Sequence, residues 1–403
     1  MTYTPKLNWI LMSLFGLMTI GIFIAALIFP AFRQTAYAPV RELLLPPPEP
    51  IQLPILYSTE KEAWLTEVID DFEASGVTVD GHPIQIEVKK KGSWEINAAV
   101  LDGLEQPVLI SPASSLQLAA LQDASTLELG KSLVNPADTG TCRSVVTTPL
   151  VLVAWEERAS VLWGSQPRDT LWLNLHDSLI DPQGWAAYHQ PDWGYIKFGH
   201  TDPLKSNSGF MTILLMTYGY YGKADQLSSA DILSNEDFQS WFLGMEHSIG
   251  QFEHSTGPLM KKMVTYGPST YDFVTVYEAT ALEQAENAQG KYGNLRVYYP
   301  PVLSWSDHPF CLIQGDWVSP MQIEAATLFI EYLTSVPAQE SAMMKYGFRP
   351  VSTEISLTQP GSPFDHYAAN GFLADLSSMR TVEIPQGNVL NTLRDFWARN
   401  VSP

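Results

Sequence analysis

Three times between residues 55 and 115 a short apolar run ends in hydroxyl-bearing residues and passes directly into an amphipathic segment. Residues 55–57 lead through Ser58-Thr59 into 60–74, where Trp64, Val68 and Phe72 recur every four residues. That spacing makes one apolar helical face. Residues 84–88 alternate as a strand and lead through Gly92-Ser93 into a helical stretch at 94–101, and 107–110 lead through Ser111 to Ser115 into a third helix. Repeated strand–turn–helix units with short connections predict a parallel sheet covered by helices, so the chain is expected to be α/β. Thr59 and Glu62 have capping-box spacing at the first helix start.

A second set of units follows. Residues 145–155 form a long β-branched run, 195–199 and 272–277 read as strands, and 210–221 and 278–288 as helices. Short strands are expected at 297–300 and 310–313, and helices at 322–333, 338–346 and 389–398. The hydroxyls Ser58, Thr59, Ser93, Ser114 and Ser115 all fall where a strand ends and a helix begins. In an open parallel sheet those loops share one edge, where ligands bind and where helix N-termini present free N–H groups. Serine and threonine are also ordinary N-caps, so each position alone has a purely structural explanation.

Residues 9–29 contain no charge. At 1.5 Å per residue they span a hydrocarbon core of about 30 Å, so a transmembrane anchor is expected. A cleaved signal peptide is the competing reading, with Ala36-Tyr37-Ala38 as the cleavage-like site. Six prolines between Pro39 and Pro54 predict an extended linker. The formal charge of −20, from 43 acidic and 23 basic residues, argues against a nucleic-acid partner. Two cysteines are too few for a disulfide scaffold or a Cys-rich metal site.

Thr201-Asp202-Pro203, Ser206-Asn207-Ser208-Gly209, Tyr277-Glu278, Ser306-Asp307-His308-Pro309 and Gly347-Phe348-Arg349-Pro350 occur in that order. With these motifs the chain resembles a bacterial extracellular solute-binding protein of the type II periplasmic binding fold, in the branch containing molybdate and sulfate binders. The resemblance implies two α/β lobes joined by two crossover strands, with the ligand between them. Together with the uncharged run and the prolines, it divides the chain into a cytoplasmic tail (1–8), an anchor (9–29), a linker (30–54), a first lobe (55–146), a second lobe (147–308), and a return to the first lobe with a C-terminal extension (309–403). The loops that touch ligand in such proteins correspond to Ser58, Thr59, Ser93, Ser114 and Ser115 in the first lobe. In the second lobe they correspond to Ser206, Asn207, Ser208, Gly209, Tyr277 and Glu278. Some relatives carry a C-terminal von Willebrand factor A domain; here the chain ends at Pro403, and Asp123-Ala124-Ser125-Thr126-Leu127 lacks the metal motif's second serine.

Two residues depart from an oxyanion site. A buried carboxylate beside an anion costs several kcal/mol, so Glu278 either points away or meets a cation, amine or sugar hydroxyl, and Asp202 reads as a turn cap. Crossover strands lie side by side in this fold, so Cys142 and Cys311 are expected to form a hinge disulfide, two separate buried thiols being the alternative. Glu246-His247 and Glu253-His254 read as solvated surface, Lys89-Lys90-Lys91 as a basic cluster near the cleft edge, and Trp94 and Trp305 as residues able to line a cleft. No nucleophile elbow, zincin, phosphate-loop or dinucleotide motif occurs; a hydrolase would need Ser93 or Ser208 with His200 or His308. The expectation is therefore a non-enzymatic, membrane-tethered, extracytoplasmic binder of a small polar ligand, oxyanions included, that needs no cofactor and works in transport or sensing. Its expected partners are an ABC-type permease or a von Willebrand factor A-type protein. A ligand-free bilobal scaffold for interaction or signalling is the alternative.

Overall fold

The computed structural model describes residues 5–29, 48–164 and 170–402. The linker expected at 30–54 and the cleavage-like Ala36-Tyr37-Ala38 lie largely or wholly outside these residues, as does most of the tail expected at 1–8. The chain divides into two units, one holding residues 1–50 with 80–83 and the other the remainder. In the first, α1 (Pro5–Ile28) is apolar and uncharged from Trp9 to Ile28. By length and composition it could cross a bilayer, and the same description fits a signal sequence.

The second unit holds two six-stranded sheets and a two-stranded one that pairs Val302–Leu303 with Arg380–Thr381. The first contains β1 (Ile51–Tyr57), β2 (His82–Lys90) and β3 (Leu109–Ser111), with α2 (Glu62–Ala74), α3 (Ser93–Leu101) and α4 (Ser115–Leu129) following in turn. β1 pairs in parallel with β2 (Leu53↔Ile86) and with β3 (Ile55↔Leu109), as the repeated units predict. The chain then crosses over through β4 (Cys142–Ser144) and β5 (Val146–Trp155). The second sheet adds β6 (Phe198–Gly199), α5 (Asn207–Tyr221), α6 (Thr256–Tyr266), β7 (Phe273–Tyr277), α7 (Glu278–Ala288), β8 (Leu295–Tyr298) and β9 (Trp305–Ser306). β5 pairs antiparallel with β7, β8 and β9. Leu150, Leu152 and Ala154 on one face of β5 enter one apolar core, and Val151, Val153 and Trp155 on the other enter a second. This double burial explains an unbroken apolar run without alternation.

The chain returns through β10 (Pro309–Leu312), antiparallel to both β3 and β4. Helices α8 (Pro320–Leu333) and α9 (Val336–Tyr346) close the first lobe against α2. Cys142 and Cys311 face each other in register and are bonded. The bond thus lies inside the first sheet, across the outgoing and returning strands, rather than between lobes.

The last helix, α10 (Gly387–Asn400), packs on both lobes. Arg394 lies over the Trp94 ring at 4.8 Å, on the first-lobe side, while Phe396 meets Phe242 in the second lobe. Trp397 Nε1 donates to Glu246 Oε2 at 2.5 Å. A Cβ on Gly387 would lie 2.1 Å from Asp123 Oδ2, so any larger residue there would have to turn the Asp123 side chain aside.

Several expectations need correction. Glu246 is not solvated surface: it is fully buried, 3.0 Å from His200 Nε2 and bonded to Trp397. The Thr59–Glu62 capping box does not form, because Thr59–Lys61 is a 3₁₀ turn that makes Lys61 the residue before α2; Glu62 pairs with Lys90 instead. The strand expected at 195–199 shortens to Phe198–Gly199, since Tyr195 follows a turn and is exposed. Trp94 packs edge-on against Phe210 across the lobes, and Trp305 donates to Thr381 Oγ1; neither borders the two spaces described below.

Candidate functional site

The loop after β1 turns tightly enough to swing Lys61 inward, and its side chain is completely buried. Lys61 Nζ donates to Ser58 Oγ at 2.5 Å, the Ser111 carbonyl at 2.9 Å and the Pro112 carbonyl at 3.3 Å. One ammonium thus ties together the first and third strand–helix loops. Burial pulls the amine down to about 8, opposed by the nearby charges of Glu60 and Asp307.

The remaining first-lobe hydroxyls are also engaged. Ser93 Oγ accepts from the Ala113 amide at 3.0 Å. Ser115 donates its amide to Asp307 Oδ1 at 2.7 Å and its hydroxyl to Asp307 Oδ2, which also accepts from Ser144 Oγ. Ser114 Oγ and Gln117 Nε2 both donate to Asn207 Oδ1, at 3.2 and 2.7 Å, and Asn207 Nδ2 donates to Tyr277 Oη at 2.8 Å. Asn207 is therefore a buried polar bridge between the lobes.

In the second lobe Ser208 Oγ shares hydrogen bonds with Thr201 Oγ1, Ser206 Oγ and Thr256 Oγ1 at 2.8, 3.1 and 2.7 Å. A Cβ on Gly209 would lie 2.0 Å from the Thr201 carbonyl; glycine lets α5 start against that loop. Asp202 accepts from the Leu204 amide and pairs with Lys205, as a turn cap does. Glu278 is fully buried and bidentate to Arg349, at 2.6 Å from Nε and 2.8 Å from Nη2. Tyr299 Oη adds a third hydrogen bond. Burial works against the Arg349 charge, but its bonds to Glu278 outweigh that and hold the guanidinium above its ordinary value.

Open space lies beside this network. A cleft of about 520 Å³ is walled by Thr59, Glu60, Glu62, Ala63 and Lys90 from the first lobe. From the second lobe come Ser206, Thr280, Glu283 and the α6 start at Ser255, Thr256, Gly257 and Pro258. It shares Glu60, Ala63, Thr280 and Glu283 with a recess of about 170 Å³ that runs in to Trp64, Tyr277 and Phe348. Of the residues expected from sequence, Thr59 and Ser206 line the cleft and Tyr277 lines the recess. Ser58, Ser93, Ser114, Ser115, Asn207, Ser208, Gly209 and Glu278 line neither space, and they hold the loops in place from behind.

The sequence reading missed Glu60, Lys61, Thr280, Glu283 and the start of α6. The Ser255-Thr256-Gly257-Pro258 run carries a helix-start signal, a hydroxyl N-cap with proline in the first turn, that could have placed it. Lys61 carries none, since a lysine in Thr-Glu-Lys-Glu reads as solvated. Among the described residues no three or more His, Cys, Asp or Glu side chains group to hold a metal ion.

The family described as bacterial extracellular solute-binding protein matches residues 53–349. No curated protein matches the sequence. Among solved structures, a periplasmic thiamin binding protein is similar over 88% of this chain and 97% of its own, at 12% identity and TM-score 0.58. The periplasmic binding protein AfuA from Actinobacillus pleuropneumoniae, with exogenous fructose-6-phosphate bound, covers 87% and 98% at 14% identity and TM-score 0.57. Iron-bound HitA from Pseudomonas aeruginosa covers 86% and 99% at 15% identity and TM-score 0.56. These likenesses establish the two-lobed periplasmic-binding-protein fold.

Proposed function

Since the chain belongs to the bacterial extracellular solute-binding proteins, we propose that it captures a small polar solute between its lobes while α1 tethers it to the membrane. The observation that carries this reading is the 520 Å³ cleft, whose walls come from both lobes and offer hydroxyls and charges together. A solute touching Thr59 and Glu60 on one side and Ser206, Thr256 and Thr280 on the other would favour the closed arrangement by its differential affinity. Ser58, Ser93, Ser114, Ser115, Asn207, Ser208, Gly209, Tyr277 and Glu278 then act chiefly by holding those contact loops. The family is extracellular, and the Cys142–Cys311 bond suits an oxidising compartment. The tether orientation we favour leaves residues 1–8 in the cytoplasm. An ABC-type permease is the partner the family's transport role suggests, with a von Willebrand factor A-type protein as the alternative. Neither Ser93 nor Ser208 hydrogen-bonds a histidine, so the proposal contains no catalytic step.

One observation favours a second reading. Most hydroxyls at the loops that contact ligand in similar proteins are spent on other protein groups, and α10 packs on both lobes. A ligand-free interaction scaffold would look the same there. Thermal unfolding of the full chain in detergent, with sugars, amines, amino acids and oxyanions, separates the two. A ligand at 100 times its dissociation constant stabilises by about 2.7 kcal/mol; no shift with any class in folded, ligand-free protein would favour the scaffold.

A further inference from the structure

The recess behind the cleft differs chemically from the cleft itself. Its walls are Trp64, Phe348, Tyr346 and Tyr277, and its carboxylates are Glu60 and Glu283. Glu60 Oε1 is buried with no hydrogen-bond partner. The basic atom paired with it is His308 Nδ1 at 3.9 Å, beyond hydrogen-bond reach, and it too is buried and unpartnered. Glu283 lies exposed at the shared mouth with no ion pair among the described residues. Lys345 also borders the recess, but its ammonium is held by Glu67 at 2.8 Å.

An unmade hydrogen bond on a buried carboxylate oxygen costs free energy that a fitting partner recovers. A cation near aromatic walls gains further from their π faces. An anion would meet the Glu60 and Glu283 carboxylates in the same place, while the Lys61 ammonium near Glu60 is turned to Ser58 and the Ser111 and Pro112 carbonyls. A bare metal ion would find too few ligands, since no group of three forms among the described residues. Resting on the solute-capture reading above, we propose that the ligand carries an organic ammonium group and that this group seats in the 170 Å³ recess against Glu60, with Glu283 as the outer counter-charge.

The test is isothermal titration of the full chain in detergent micelles, dialysed free of solute. The probes are choline, ethanolamine and putrescine, with neutral 3,3-dimethylbutan-1-ol as the isostere of choline, and glucose and sulfate as competing classes. At least one amine should bind saturably, and choline, if it binds, at least tenfold more tightly than its isostere. Glu60→Gln should weaken amine binding tenfold or more and Glu283→Gln by a smaller factor, both variants keeping the wild-type unfolding midpoint. Equal binding of choline and its isostere, or amine affinity unchanged in Glu60→Gln, overturns the proposal. Binding of glucose or sulfate without any amine overturns the ammonium assignment and leaves solute capture standing. Binding of nothing by folded protein overturns both.

Discussion

Replacing Arg349 by methionine leaves Glu278 buried without its cation. The guanidinium supplies two hydrogen bonds to that carboxylate, so their loss strips a fully buried charge of all but the Tyr299 hydroxyl. Removing one partner of such a pair costs about 3–5 kcal/mol, and the retained hydroxyl points to the lower half of that range. At roughly 2 cal/mol/K per residue of unfolding entropy over the globular body, this lowers the midpoint by about 4–6 °C. Removing both charges, with Glu278→Gln and Arg349→Met together, should recover most of the loss. Denaturant melts of the four proteins measure this. A double variant no more stable than Arg349→Met would refute the view that Glu278 is an internal counter-ion to Arg349.

Lys61 gives a dependence on pH. Its folded pKa, about 8, lies below that of an unfolded lysine. The unfolded chain therefore binds more protons between about pH 8 and 10, and stability contributed through this group rises with pH there, on the order of 1.4 kcal/mol per unit at most. Lys61→Met should flatten that rise in melts from pH 7 to 9.5, and an unchanged slope would contradict it. Trp397→Ala should cost about 3–5 kcal/mol, because its ring is buried and its N–H serves Glu246; a loss below 1 kcal/mol in denaturant melts would mean that α10 is loosely docked.

How far the fold was legible follows from what each segment buries. β2 and α2 were readable because each has one buried side, which imposes periods of 2 and 3.6 on the sequence, whereas β3 is buried throughout and was readable only as a short apolar run. β5 was readable by length and branching alone, both faces being covered. Glu246 was legible too, although misread: it stands four residues after Phe242, on the buried face of the helix Glu236–His247, and its neighbour His247 drew it to the surface. Lys61 was not legible, because its burial depends on one 3₁₀ turn and on carbonyls about fifty residues away. The loops of the site could be placed from sequence; which of their side chains face the open space could not. That choice is made by interlobe bonds such as Ser114–Asn207, between residues 93 apart.

The Cys142–Cys311 bond gives the molecule a covalent topology that its backbone lacks. The two residues are 169 positions apart, and strands β5 to β9 of the second sheet are strung between them, so the chain is a ring with two tails. A protease that cuts once between Arg143 and Phe310 opens the ring without dividing the molecule. Such a nicked protein would run as one band without reductant and as two with it, and its two pieces would stay joined until reduced. A reducing environment would remove that safeguard together with the stability of about 2–5 kcal/mol that closing so long a loop provides.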